Sequence, residues 1–250
     1  MAPPSSNPPA ARPTAGAIAA AGLVHGFTAF GACLGLLAVC AIQAGNFYQA
    51  MVWLSCAYFI DIIDGTLARA AKVQEVLPNI DGRMLDYVID FLNIVFIPAY
   101  FVYAAGLTPR PFGLGLAWLI LLVSAYHYAN KSALTDDFYF KGFPAMWSVV
   151  VFYLFIGGLS QFWNAVIIVL FSVLHFVPIK FIYPTRTLRQ RKLTVALSIV
   201  WVAANALLLA AHPARPPLLL AISLGVLGYY AYMSVTAPRE SSRAGSLASS

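Results

Sequence analysis

The chain has 250 residues, 61% of them hydrophobic and only 10% charged, and a mean hydropathy of +0.79. A soluble domain carries roughly 25% charged residues and a disordered one combines low hydrophobicity with high net charge, so both are excluded and an integral membrane protein remains. The net charge of +6 fits orientation and anionic headgroups; a nucleic-acid partner is not expected, because no basic run interleaves with aromatics.

Residues 1–14, MAPPSSNPPAARPT, are rich in Pro and Ser and are expected to be disordered. The apolar run that follows outlasts a signal-peptide core and has only Arg12 shortly before it, so it reads as a retained span. A crossing helix needs about 20 mainly apolar residues. Eight stretches meet that length, near 19–43, 47–70, 83–106, 113–130, 144–160, 162–181, 193–211 and 216–235. The expectation is an all-α, polytopic membrane protein with one transmembrane domain over 15–236 and a polar, disordered tail over 237–250. Cys33, Cys40 and Cys56 lie in apolar stretches without ligand spacing and read as packing residues. His25, His175 and His212 form no ligand pattern.

With eight spans, both ends share one side. Only Arg110 and Arg215 of the 15 Lys and Arg then fall on the other side. That asymmetry makes both termini cytoplasmic.

The acids are concentrated. Six of the nine lie between positions 61 and 90: Asp61, Asp64, Glu75, Asp81, Asp86 and Asp90. Four of them fall inside spans two and three, where an Asp at mid-bilayer costs roughly 2.5–3.5 kcal/mol and is a functional candidate. Asp61 and Asp64 are i,i+3, and Gly65 and Ala68 continue their stripe; Asp86 and Asp90 are i,i+4, with Gly82 one turn earlier. A short loop joins the two spans, so they are antiparallel neighbours whose Asp pairs meet just inside the cytoplasmic face. Asp81 is out of phase and reads as a helix cap. Converging carboxylates need cations. Oxygen ligands without His or Cys favour Mg²⁺, Mn²⁺ or Ca²⁺, and two such ions about 3.5–4 Å apart suit phosphoryl displacement. Gly65, Ala68 and Gly82 either make room for a base or phosphate or serve helix packing.

Together these residues read D-x2-D-G-x2-A-R, twelve residues, then G-x3-D-x3-D, with Arg69 completing the first half. This resembles the signature of the CDP-alcohol phosphatidyltransferases. The usual gap between the Arg and the Gly is eight residues. The longer gap, the eight spans and the segment YFKGFPAMWSVVVFYLF at 139–155 resemble the bacterial phosphatidylcholine synthase branch. The resemblance implies an inner-membrane enzyme that condenses CDP-diacylglycerol with choline to give phosphatidylcholine and CMP. It implies that Asp61, Asp64, Asp86 and Asp90 hold two Mn²⁺ or Mg²⁺ ions and that Asp90 is the base on the choline hydroxyl. It also implies that Asp61, Asp64, Gly65, Ala68, Arg69 and Gly82 bind CDP-diacylglycerol. Membrane lipids surround it, and a homodimer is the assembly common in the family.

Aromatic faces and carboxylates recognise a quaternary ammonium. At the depth of the acids the candidates are Trp147 first, Tyr183 second, then Tyr126 with His127 and Tyr128, and Asn93 three residues beyond Asp90. Tyr87 and Phe91 point off the acidic face. An ordinary interfacial aromatic belt is the competing reading. The basic stretch 180–192 either orients the chain or contacts lipid phosphate, with Arg186 and Arg189 nearest the site; Asp136 and Asp137 read as solvated loop acids. Two other activities stay open: a related transferase acting on serine, inositol phosphate or glycerol phosphate, and a cation transporter. The anionic acceptors of the former would need a cationic pocket, and the latter broken helices or repeated halves, which the sequence does not show.

Overall fold

The computed structural model describes residues 13–130, 132, 134–135, 137–184 and 187–237. Apart from Pro13, Thr14 and Ala237, the ends expected to be disordered lie outside these residues, as do Lys131, Asp136 and Arg186. The described chain is mostly helical and divides into two compact units, Met1–Ile97 and Pro98–Ser250.

The first unit contains α1 (Ala15–Gln43), α2 (Phe47–Ala70) and most of α3 (Gly82–Ala104). Thr14 caps α1 by accepting from the Ala17 N–H. A tight turn follows, in which Gly45 adopts φ +72° and the Asn46 side chain caps α2 by accepting from the Gln49 N–H at 3.0 Å. The turn reverses the chain, so α1 and α2 form an antiparallel hairpin. A single helical turn, Val73–Val76, leads to Asp81. Its carboxylate accepts from the N–H groups of Arg83 and Met84 at 3.0 and 3.1 Å and starts α3.

α3 changes character immediately after Asp90. Phe91–Phe96 form a π-helical segment, a widened turn often found at functional sites. Within it Asn93 donates to the Gly31 carbonyl of α1 at 2.9 Å. Small residues allow this approach. A Cβ on Gly31 would lie 2.9 Å from Ile89 Cγ2, and one on Gly35 would strike Asn93 and lie 2.9 Å from Ile97 Cδ1. Cys33, Cys40 and Cys56 are free and exposed, so their expected packing role is corrected: they stand on outward helix faces.

The second unit holds the end of α3, then α4 (Arg110–Ala129), α5 (Trp147–Gly157), α6 (Gln161–Leu174), α7 (Arg191–Ala210) and α8 (Pro217–Val235). Strands β1 (Tyr139–Lys141) and β2 (Lys180–Ile182) pair antiparallel, with Tyr139 opposite Ile182. Partly buried hydrogen bonds join α5, α7 and α8. The Trp201 indole donates to the Tyr153 hydroxyl at 2.9 Å, Tyr153 pairs with Ser223, and Ser223 donates to Asn205 at 2.8 Å.

Six helices among the described residues are long and apolar enough to cross a membrane, so the chain is a polytopic membrane protein. The two remaining apolar stretches, 144–160 and 162–181, form helices of only 11 and 14 residues. The reason is local. α5 begins three residues after Pro144 and ends at Gly158, whose φ of +63° continues no helix. α6 stops at Leu174, ahead of Pro178. The apolar residues flanking both helices, such as Phe143, Ala145 and Ile182, are buried without being helical.

Candidate active site

The motif residues come from two helices of the first unit. Asp61 and Asp64 sit on α2, and Asp86 and Asp90 on the second and third turns of α3. Carboxylate oxygens of Asp61, Asp86 and Asp90 lie within 4.8 Å of one another, and all three side chains are half-buried. Asp61 and Asp90 are within hydrogen-bonding reach of each other. Carboxylates this close repel strongly away from bulk water unless a cation or a proton intervenes. The donor set is oxygen alone, which suits a hard divalent ion. The cluster can therefore bind a metal ion.

Sequence spacing suggested four converging carboxylates; the structure gathers three. Asp64 is only 4% exposed and turns towards α1, where Thr28 is within hydrogen-bonding reach and the Arg69 guanidinium is near. Residues three apart on an α-helix are rotated by about 60° from each other, so Asp61 faces α3 while Asp64 faces α1. Thr28 is thus a site neighbour that the motif did not reveal. Its signal is the face of α1 on which His25, Thr28, Gly31 and Gly35 recur, all buried.

The remaining motif positions differ in surroundings. Gly65 is half-buried, and a Cβ there would meet only the Arg69 guanidinium, at 3.3 Å. Ala68 is half-buried, and the exposed Arg69 donates to the Thr66 hydroxyl at 3.0 Å. Gly82 packs against α1: a Cβ would lie 2.8 Å from His25 Cε1. Gly82 also lines a cavity of about 250 Å³ with Gln74, Pro78, Ile80 and Asp81, residues of the long gap in the motif.

The choline candidates fall in both units. Asn93 is 5% exposed and clamps α3 to α1 through Gly31. In the second unit, Trp147 is fully buried, donates to Ser124 at 2.8 Å and stacks on His175 with ring centroids 5.7 Å apart. It presents no free face. His127 meets His175 edge-on, and Tyr128 is half-buried. Tyr183 is half-buried and stacks on Phe140, while Tyr126 is 65% exposed and packs against Phe176. In the first unit Tyr87 is exposed and Phe91 half-buried.

Of the lipid-phosphate candidates, Arg186 lies outside the described residues. Arg189 donates to the Thr236 carbonyl and hydroxyl at 2.7 and 3.2 Å, which ties it to the end of α8. Asp137, expected to be solvated, is paired: Lys180 donates to it at 2.8 Å and Thr135 also donates. Burial raises the Asp137 pKa, but the hydrogen bonds from Lys180 and Thr135 outweigh it and hold the carboxyl below its ordinary value.

Fold and site together define a polytopic helical membrane protein with a metal-competent acidic cluster inside its helices. No protein-family model matches the chain. Curated proteins do. A phosphatidylcholine synthase of Legionella pneumophila is 36% identical over 222 residues, covering 86% of this chain and 87% of the relative. Those of Pseudomonas aeruginosa and Bradyrhizobium diazoefficiens are 37% identical over 207 residues and 40% over 183; they cover 83% and 73% of this chain, and 87% and 68% of their own lengths. The chain belongs to the phosphatidylcholine synthase family of CDP-alcohol phosphatidyltransferases.

Proposed function

We infer that the protein transfers the phosphatidyl group of CDP-diacylglycerol to choline, releasing CMP, in a bacterial inner membrane. The observation that carries the reading is the Asp61–Asp86–Asp90 cluster: three carboxylates converging inside apolar helices, in a chain whose relatives are phosphatidylcholine synthases. Asp61, Asp86 and Asp90 would hold divalent cations, Mn²⁺ or Mg²⁺, with Asp64 completing a two-ion set. Bound there, the cations would neutralise the diphosphate and stabilise CMP as it leaves.

The protein's own groups do the rest. Asp90 accepts the proton of the choline hydroxyl as the choline oxygen attacks the phosphorus that carries the diacylglycerol. The new P–O bond forms, the bond to CMP breaks, and CMP departs with the electron pair. Gly65, Ala68, Arg69 and Gly82 border the nucleotide. Thr28, within reach of Asp64, would help to orient it. The site's place near the cytoplasmic ends of α2 and α3 lets acyl chains stay in lipid while choline and CMP exchange with water.

The topology proposed with this function has eight crossings and cytoplasmic termini. The cation asymmetry supports it. Among the described residues, so does the β1–β2 pair, which brings both feet of the α5–α6 hairpin together.

The test is reconstitution. Purified protein with CDP-diacylglycerol, Mn²⁺ and labelled choline should release CMP and form labelled phosphatidylcholine. Product with serine, inositol phosphate or glycerol phosphate but none with choline would overturn the acceptor. Unchanged turnover in Asp90→Asn would overturn the assigned base.

A further inference from the structure

We propose that His25 of α1 binds the cytidine monophosphate half of the donor, an inference that rests on the phosphatidyl-transfer reading above. His25 is 8% exposed, and its Nε2 has no hydrogen-bond partner. A buried polar atom left unpaired is a standing desolvation penalty, and native proteins rarely retain one without a use. Its position suggests the use. The ring lies against the first residue of α3, so close that a Cβ on Gly82 would be 2.8 Å from Cε1 and 3.5 Å from Nδ1.

Gly82 also forms part of the wall of the cavity lined by Gln74, Pro78, Ile80 and Asp81. One turn further along the same face of α1, Thr28 stands beside Asp64. Thus α1 lays two polar side chains in succession along the motif helices: Thr28 level with the acids, and His25 one turn nearer the cytoplasm.

A donor with its diphosphate at the carboxylates and its acyl chains in lipid must extend its nucleotide towards the cytoplasm. Along α1 that path leads from Thr28 to His25. The imidazole can donate to an oxygen of the nucleotide and so pair its buried nitrogen only when substrate is bound. Choline is a poor occupant, because its hydroxyl must reach Asp90, two turns deeper on α3, and its ammonium donates no hydrogen bond. The glycine at 82 is then required less as room for the nucleotide than as the seat for the ring that reads it.

The test uses the full-length protein in lipid nanodiscs with Mn²⁺. Calorimetry measures CMP binding in wild type, His25→Phe, which keeps a flat ring without nitrogen, and His25→Gln, which restores a donor. CMP affinity should fall by roughly 10- to 100-fold in His25→Phe, the loss of one hydrogen bond to a charged ligand, and recover in part in His25→Gln. The KM for CDP-diacylglycerol should rise in parallel, while the KM for choline and the ligand-free unfolding temperature stay at wild-type values. Cytidine, run alongside CMP, separates the two contacts: a loss confined to CMP assigns the bond to phosphate, and an equal loss assigns it to the nucleoside. Wild-type CMP affinity in His25→Phe overturns the proposal, as does a lowered unfolding temperature with both KM values raised together. If the wild type neither binds CMP nor forms lipid, the transfer reading itself fails, before any variant is compared.

Discussion

The packing of α1 on α3 gives a quantitative test of how the acidic cluster is held. Gly35 lies where α1 meets the π segment: a Cβ there would strike the Asn93 side chain and come within 2.9 Å of Ile97 Cδ1. Neither neighbour can withdraw freely, since both are buried and Asn93 is tied to Gly31. Overpacking of this kind costs about 1–3 kcal/mol. Replacing a helical glycine by alanine recovers up to about 1 kcal/mol through propensity. Gly35→Ala should therefore destabilise by up to about 2 kcal/mol, a fall of up to roughly 8 °C in unfolding temperature for a chain of this size. Gly22, on the same helix, has nothing within 4 Å of a built Cβ, so Gly22→Ala should leave stability unchanged or raise it by up to about 1 kcal/mol. Activity separates the two further. Asn93 follows Asp90 by three residues, so a displaced Asn93 shifts the carboxylate proposed as the base, and misplacement of a catalytic group by about 1 Å can cost roughly a hundredfold in rate. Thermal unfolding in detergent, paired with CMP release, measures both effects. Equal melting temperatures and equal rates in the two variants would refute a close α1–α3 contact that positions Asp90.

Other tests address the site and the second unit. Asp90→Asn should lower turnover by about 10²–10⁴-fold, the usual worth of a general base, without lowering the unfolding temperature of metal-free protein, because Asn keeps the shape and can still hydrogen-bond Asp61; a large drop in that temperature would argue for a structural role. Chelation should abolish activity, and Mn²⁺ or Mg²⁺ should restore it, whereas persistence of activity in chelator would contradict the metal assignment. Trp147→Phe removes a buried hydrogen bond to Ser124 and should destabilise by about 1–3 kcal/mol while the choline KM holds; a raised KM at unchanged stability would return Trp147 to the choline site. Asp137 has a lowered pKa in the fold, so its stabilisation is present above the ordinary value of 3.8 and is lost as pH falls through the lower folded value. Protection factors for hydrogen exchange over residues 137–141, corrected for the intrinsic rate, should hence hold at pH 5 and fall as pH drops below the ordinary value, and Asp137→Asn should remove that fall.

What was legible in the sequence follows from what the bilayer penalises. A carboxylate in a membrane helix is expensive, so Asp61, Asp64, Asp86 and Asp90 stand out, and helical periodicity assigns them a face. Asp81 was readable because it falls out of phase, and it does cap α3. Aromatic residues carry no such penalty. Trp147 and Tyr183 suited a choline cage by depth alone, yet ring packing against His175 and Phe140 was invisible. The same limit hid the pairing of β1 with β2, about 40 residues apart in sequence, and the turn of Asp64 towards Thr28. Hydropathy counts apolar residues whether or not they are helical, which explains why two stretches of spanning length yield such short helices. A lone histidine such as His25 carries no ligand pattern in sequence; only its unpaired nitrogen and its fit against Gly82 single it out.

The short helices α5 and α6 raise the question of whether their hairpin crosses the membrane. At 1.5 Å per residue, 11 and 14 residues reach about 16 and 21 Å, short of a core of about 30 Å. The hairpin tip nevertheless touches the far loops. Gln161 donates to the Gly106 carbonyl and Asn164 to that of Leu107, both at 2.8 Å, and Gly158 abuts the Arg215 guanidinium. Residues 106–107 join α3 to α4, and Arg215 lies between α7 and α8, so these belong to the side opposite the β1–β2 pair. The non-helical residues 143–146 and 175–179 would make up the missing length, at about 3.3 Å each where extended. Irregular backbone is tolerated at that depth only when protein surrounds it, and Phe143, Ala145 and His175 are all buried. The hairpin should therefore complete two crossings. With Cys33, Cys40 and Cys56 replaced by serine, a membrane-impermeant maleimide should label Ser160→Cys from the periplasmic side and leave Lys141→Cys unlabelled until the membrane is opened. Failure to label position 160 from the periplasm, with Arg215→Cys labelled as a control, would make the hairpin re-entrant and reduce the full crossings to six.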